Sequence, residues 1–243
     1  DVHLTRPEVD LAVDPVPVIA AFLGQFWPFM AAETSRAVFV DYEQPGSGAL
    51  RTLGGLFLQN GFDLLVERVD LQLRLADDVP LQAGELMFSS YGPETHGRFL
   101  QAFKRSFTDS LDPMMEWDAR HPEESFEMFR DRFGVFNPEV WVLATDREGR
   151  DAGFALFQHF VGGRYAGQVV LLYMAVVPEA RGLGYGDQIL AEGLRRIYKW
   201  RKRGAVVSLT VSAPNRPAAA IYQRAGFRPV GAFSVYARSR NLR

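Results

Sequence analysis

The chain has 243 residues, 47% of them hydrophobic and 23% charged, with a formal net charge of −2, a balance that suits a globular protein with a substantial core. It contains no cysteine, which excludes disulfides, cysteine-ligated zinc and a thiol nucleophile. No apolar run approaches the roughly 20 residues that span a bilayer, and the acidic, Pro-containing stretch from Asp1 to Val18 lacks the features of a signal peptide, so a cytoplasmic protein without membrane association is expected.

In chain order, an apolar helix is expected over Val18 to Met30, then a strand over Ala37 to Tyr42, a Gly-rich turn, a further helix, and an alternating strand from Asp63 to Leu75. Residues 76–85 are polar and carry Pro80 and Gly84, the composition of a linker. Tyr91 to Leu111 reads as a helix with Phe99, Leu100, Phe103 and Phe107 on one stripe, and Glu123 to Phe133 as another. Val140 to Thr145 and Gly153 to Val161 form a hairpin around a polar turn. Gln168 to Val177 is a nearly continuous apolar strand, as expected where both faces are covered. A helix over Gly186 to Arg203, a strand over Ala205 to Val211, a helix over Asn215 to Ala225 and a closing strand over Val230 to Ala237 complete the chain. Asn215 is placed to cap its helix and Gly226 to stop it.

The first 75 residues echo the end of the chain. Leu11-Ala-Val-Asp-Pro15 resembles Met174-Ala-Val-Val-Pro178, and Leu56-Phe-Leu-Gln-Asn-Gly-Phe62 resembles Ile221-Tyr-Gln-Arg-Ala-Gly-Phe227. The elements between these pairs match in kind and order, which is the mark of an internal repeat. The domains expected are therefore 1–75, a partial copy, and 86–243, joined by 76–85.

Chemistry concentrates in Pro178-Glu-Ala-Arg181-Gly-Leu-Gly184-Tyr-Gly186-Asp187, between an apolar strand and a helix. Main-chain N–H groups at a helix start lack intrahelical partners and carry the positive end of the helix dipole. Glycines let that backbone approach a ligand, so the segment can cradle a pyrophosphate. The dinucleotide pattern G-x-G-x-x-G fails, because Asp187 stands where a third glycine belongs, and no Gly-Lys-Ser/Thr follows. Arg181, Gly184 and Gly186 fit Q/R-x-x-G-x-G/A, which resembles the coenzyme-A signature of the GNAT superfamily of N-acetyltransferases. Asn215-Arg-Pro-Ala-Ala-Ala-Ile-Tyr222-Gln-Arg-Ala-Gly226-Phe227 is similar to a second stretch of that superfamily, N-x-x-A-x-x-x-Y-x-x-x-G-F.

The resemblance implies an α/β (mixed α+β) fold with a central, mostly antiparallel, splayed sheet flanked by helices, and acetyl-CoA-dependent acetylation of an amine by direct attack. It implies that the backbone of Met174, Ala175 and Val176 pairs with the pantetheine arm, one N–H stabilising the oxyanion. Arg181, Gly182, Leu183, Gly184, Tyr185, Gly186 and Asp187 would hold the pyrophosphate, Asn215 would hydrogen-bond the cofactor, and Tyr222 would protonate the departing thiolate. The familiar general-base positions hold Thr210, where ribosomal-protein acetyltransferases carry a glutamate, and Val170, where histone-type relatives do. Water assisted by Tyr173, His159 or a carboxylate of the Asp112–Glu124 loop is left to accept the proton. In the partial copy Phe57 matches Tyr222, Leu50 matches Asn215, and Val16 to Ala21 has no Arg or Gly, so that half is expected to be degenerate and non-catalytic, in a tandem arrangement resembling mycothiol synthases. A non-enzymatic acyl-CoA-binding or sensing module is the alternative.

The four histidines show no metal-ligand spacing, so no metal is expected. Arg181 to Arg243 holds thirteen Lys/Arg against two Asp/Glu, which either attracts an anion or forms a solvated helix face; no nucleic-acid module accompanies it. The acceptor, a small molecule or peptide amine, would meet the acidic Asp112–Glu124 segment (Asp112, Glu116, Asp118, Glu123 and Glu124), the Gly162–Gly167 turn and the C-terminal strand. Monomer and homodimer both remain open.

Overall fold

A computed structural model describes residues 2–4, 17, 21, 36–43, 50–76, 84–131, 134–201 and 203–239. All but Ala21 of the helix expected over Val18 to Met30 lies outside the described residues, as do the Leu11 to Pro15 segment and residues 77–83 of the expected linker. The chain divides into two compact units, Asp1–Val69 with Val230–Arg243, and Asp70–Pro229.

In the first unit, β1 (Val2–Leu4) runs parallel to β2 (Arg36–Glu43), and β9 (Arg228–Ser239) contributes an antiparallel partner to β2, from Glu43 opposite Ala232 to Arg36 opposite Ser239. Helix α1 (Leu50–Gln59) buries Phe57 against Phe62 and Tyr236, with ring centroids 6.0 and 5.2 Å away. Strand β3 (Asp63–Arg74) passes from this unit into the second.

The second unit is a mostly antiparallel sheet with helices on its faces. Its strands run in the order β3, β8 (Val206–Ser212), β7 (Val169–Val176), β6 (Asp151–His159), β5 (Val142–Thr145), β4 (Met87–Ser90). Neighbours from β4 to β7 are antiparallel, and β7 and β8 are parallel. Helix α2 (Pro93–Ser106) starts with a proline in its first turn and with Thr95 Oγ1 accepting from Gly92 N–H at 2.8 Å. Phe99, Ala102, Phe103 and Ser106 then recur every three or four residues and are buried. They pack with Phe126 of α4 (Pro122–Asp131), Trp141, Phe154 and Tyr173 into an aromatic core whose rings mostly meet at steep angles. On the opposite face α5 (Tyr185–Arg201) buries Ile189, Leu190, Leu194 and Ile197.

The long elements match those read from the sequence; strand β1 was not anticipated, Val140 closes a 3-10 turn (Pro138–Val140) rather than starting a strand, and two further differences lie in the second unit. Pro113–Met115 forms a 3-10 turn and Glu116–Arg120 a short helix, α3, where only a loop was expected. Asp112 accounts for this by accepting a hydrogen bond from Met114 N–H at 3.0 Å, a side-chain cap that starts the turn at a proline. Strand β4 was not anticipated, because four residues are too few to show an alternation.

Phe103 is fully buried and touches the ring of Phe107, just past α2, and rings from α4, β6 and β7. Phe103→Ala should destabilise the protein by about 3–5 kcal/mol, read as a lower urea midpoint with an unchanged slope.

Candidate active site

Strands β7 and β8 pair only at Val169 with Val207 and at Val170 with Ser208 among the described residues. On its other side β7 stays paired with β6 up to Val176, through a bulge: Leu156 faces Tyr173 and Phe157 faces Leu171, so Leu172 is an extra residue. The two parallel strands therefore part after two partners. Met174, Ala175 and Val176, all half-buried, lie where β7 has an edge free of β8.

Beyond Val176 a 3-10 turn (Pro178–Ala180) leads into the glycine loop. Gly182 and Gly184 have φ of 82° and 76°, the left-handed region that a side chain disfavours. A Cβ at either would meet no protein atom within 4 Å, so both face open space. Among the described residues, none accepts a hydrogen bond from the main-chain N–H of Gly182, Leu183, Gly184, Tyr185 or Gly186. Leu183 is exposed, Tyr185 half-buried and Gly186 buried. Asp187, in the first turn of α5, receives a two-pronged ion pair from Arg224 at 2.9 and 2.7 Å. The Arg181 guanidinium instead reaches backwards, donating to the carbonyls of Val176 (3.3 Å), Ser106 (3.2 Å) and Thr108 (2.8 Å). It ties the loop to the end of α2.

Helix α6 (Arg216–Arg224) supplies the remaining residues. Asn215 is its N-cap, with Oδ1 accepting from Ala218 N–H at 3.3 Å. The helix ends where Phe227 N–H bonds Tyr222 O and Gly226 N–H bonds Gln223 O, both at 3.0 Å, with Gly226 at φ 93°. This is a Schellman cap, which brings the residues at its two ends together. Those residues are Tyr222 and Phe227, whose rings meet at 5.9 Å and 63°. The cap thus fixes the Tyr222 ring, which is 7% exposed. A Cβ at Gly186 would lie 2.6 Å from Ile221 Cδ1 and 3.8 Å from Val176 Cγ2. The end of β7, the start of α5 and the helix bearing Tyr222 therefore converge.

A family model described as "Acetyltransferase (GNAT) domain" matches residues 137–229. Over 253 aligned residues, covering 96% of this chain and 72% of the relative, the sequence is 31% identical to a mycothiol acetyltransferase of Clavibacter michiganensis subsp. michiganensis. The chain belongs to the GNAT acetyltransferase family. It is an N-acetyltransferase that moves an acetyl group to an amine, and acetyl-CoA is the co-substrate that a GNAT fold implies. Two solved structures share the fold: a GCN5-related N-acetyltransferase from Sphaerobacter thermophilus (19% identity, TM-score 0.66, 98% of this chain and 73% of that one) and a tandem GNAT protein from the clavulanic acid biosynthesis pathway (14%, 0.60, 91% and 69%).

The proton acceptors left open by the GNAT resemblance separate in the structure. Burial, and then the nearby Asp118 and Asp112 carboxylates, push the Tyr173 phenol far above its usual range, so it stays protonated and is no base. Its hydroxyl lies 3.2 Å from Ser106 Oγ. His159 has its pKa lowered by burial and by Arg201, and stacks edge-on to Trp200 of α5, on the face opposite Tyr173. Asp118 is buried and accepts from Ser125 Oγ at 2.6 Å, whereas Glu116 and Glu123 pair with Arg120 and Lys104 at the surface.

One buried carboxylate escaped the sequence reading altogether. Asp70 of β3, 3% exposed, accepts from Thr210 Oγ1 at 2.7 Å and Tyr165 Oη at 3.2 Å on one oxygen, and from Arg164 on the other. Burial pushes the Tyr165 phenol up. Only alternation hinted at this: Arg68, Asp70 and Gln72 share a face that reads as solvent-facing in the sequence.

Removing the Arg181 tether tests the loop. Arg181→Met keeps most of the apolar stem but no donor, and should weaken coenzyme-A affinity by about tenfold or more, since three charge-assisted bonds go; calorimetric titration checks this, with unchanged affinity as the contrary result.

Proposed function

We propose that acetyl-CoA lies along the free edge of β7, with its pyrophosphate on the glycine loop and its acetyl end towards the closed end of the gap between β7 and β8. The supporting observation is continuity: a strand edge and then a row of N–H groups at a helix start, both without partners among the described residues, follow directly on one another. An extended arm carrying two amides, followed by two linked phosphates, is the complementary ligand. On this reading Gly182 to Asp187 hold the pyrophosphate through main-chain N–H groups. Arg181 sets the loop's position and adds charge, while Arg224 offsets the Asp187 carboxylate that would otherwise repel a phosphate. The amide of Asn215 points its N–H2 donors to the cofactor while its oxygen caps α6.

The uncharged amine attacks the thioester carbonyl, and a main-chain N–H among Met174, Ala175 and Val176 stabilises the oxyanion. The C–S bond breaks and coenzyme A leaves as a thiolate. Tyr222 gives it a proton, as a phenol can to a thiolate of comparable basicity. The proton shed by the nitrogen goes to water, from which Tyr222 is reprotonated. The first unit, whose counterpart of Tyr222 is Phe57, takes no part in the chemistry. The relatives named mycothiol acetyltransferase make the unacetylated amine corresponding to mycothiol the first acceptor to assay, with glucosamine beside it.

Two variants separate binding from chemistry. Tyr222→Phe should lower kcat by about 10²–10⁴ while leaving coenzyme-A affinity intact. Gly184→Val, whose Cβ meets no protein atom, should cost about 1–2 kcal/mol of stability through its left-handed backbone and abolish measurable coenzyme-A binding. Retained affinity in Gly184→Val, or full turnover in Tyr222→Phe, would remove the corresponding role.

A further inference from the structure

Asp70, Thr210, Tyr165 and Arg164 form a polar cluster that the cofactor reading does not use. Its place in the fold follows from the register. Phe157 of β6 faces α5, since a Cβ at Gly193 would lie 2.4 Å from Phe157 Cε2. Gln158, next in the strand, faces the other way and donates to Arg130 O at 2.9 Å in α4. Val170 is the partner of Gln158 and of Ser208, and so shares that second face. Thr210, two residues beyond Ser208, projects to the same side. Tyr173, packed on Phe103 of α2, does too.

Along the chain axis, Thr210 sits just past the last pair of β7 with β8, where the gap begins. The glycine loop lies at the opposite, open end, beyond Val176. A ligand with its pyrophosphate on the loop and its arm along β7 points its far end at Thr210 and Tyr165, the latter in the turn between β6 and β7.

The hydrogen bonds give these two hydroxyls a fixed direction. A carboxylate accepts and cannot donate, and a hydroxyl has one proton. Thr210 gives its proton to Asp70 Oδ1 at 2.7 Å, Tyr165 reaches the same oxygen at 3.2 Å, nearer than the 3.4 Å to Thr210 Oγ1, and Arg164 occupies Oδ2. Each hydroxyl oxygen is left with lone pairs only. The two oxygens are 3.4 Å apart, close enough for the two N–H bonds of a single primary amine.

We infer that Asp70 is a positioning residue for the acceptor: by holding the protons of Thr210 and Tyr165, it makes their oxygens a paired acceptor that binds the amine by its N–H bonds. The inference rests on the cofactor placement proposed above. It also accounts for the neutral Thr210 in a transferase, since the amine is oriented there rather than deprotonated by a carboxylate. Selectivity follows for an unhindered primary amine. A tertiary amine has no N–H to give, and a secondary one has only one.

Asp70→Asn tests this, because a carboxamide presents N–H donors to the same hydroxyls and lets them turn. With the mycothiol-type amine and glucosamine as probes, the variant should show a KM for the amine raised by about tenfold or more, with kcat and coenzyme-A affinity within about threefold of wild type. Thr210→Val should reproduce the KM defect and Thr210→Ser should not, a contrast that simple destabilisation would not give; thermal melts of all three check folding. Unchanged KM in Asp70→Asn, or a fall in kcat at constant KM, overturns the inference while leaving the cofactor placement standing. Failure of the wild-type protein to bind coenzyme A overturns the placement itself, and turnover of neither amine by a protein that does bind it overturns the assigned acceptor site.

Discussion

The parting of β7 from β8 is the constraint on which the site depends. Two residue pairs hold the strands together at one end, and the extra residue Leu172 re-aims β7 against β6 beyond that point. A bulge of this kind bends its strand and increases its twist. Closing the gap with further parallel pairs would satisfy the main chain of Met174 to Val176 internally and leave nothing for a ligand to pair with. The open edge instead leaves polar backbone groups to be met by water or by a bound amide. The same departure places the glycine loop at the wide end and Thr210 at the narrow end, which on the proposed reading lets cofactor and acceptor approach a common point from different directions.

Charge around the site is arranged more selectively than the sequence total implies. The surplus of cations from Arg181 onward looks like a field for anions. In the structure several of them have other duties: Arg195 and Arg196 both clasp Glu192 at 2.6 and 2.7 Å, Arg224 clasps Asp187, and Arg181 is fastened to three carbonyls. Partly exposed pairs of this sort contribute little to stability, on the order of 1 kcal/mol or less each. Their effect on the site is geometric. On the proposed reading they leave oriented N–H groups of the loop, rather than guanidinium groups, as the main attraction for phosphate, which favours a ligand of one shape over anions in general.

Most of the second unit was legible in the sequence because its elements are long and strongly patterned. The apolar run through Gln168 to Val177, the stripe from Ile189 to Ile197 and the Asn-to-Gly frame of α6 each carry a local cause, and each folds as that cause dictates. The splay was legible only through resemblance, since nothing in Val207 or Ser208 announces that pairing ends there. Arg181 was read as a charge beside phosphate, and its grip on Ser106 and Thr108 depends on residues more than seventy positions away. Asp70 was invisible for a related reason. A strand with alternating polarity reads as half-solvated, and only the neighbouring β8 and the turn at Tyr165 reveal that its polar face is buried.

The paired helix ends bear on what a sequence match can mean. Phe62 N–H bonds Phe57 O at 3.0 Å and Gly61 N–H bonds Leu58 O at 3.1 Å, with Gly61 at φ 77°. The rings of Phe57 and Phe62 meet at 6.0 Å and 62°, against 5.9 Å and 63° for Tyr222 and Phe227. The cap is thus made twice, with the same bonds and the same ring contact. Glycine and phenylalanine in that motif are explained by helix termination and packing alone. The matched stretches therefore establish a shared local structure and say nothing of chemistry. What distinguishes them in sequence is the phenol oxygen of Tyr222 against the bare ring of Phe57, and a glycine loop that has no counterpart in Val16 to Ala21. A phenylalanine can keep the architecture of such a site indefinitely without being able to move a proton.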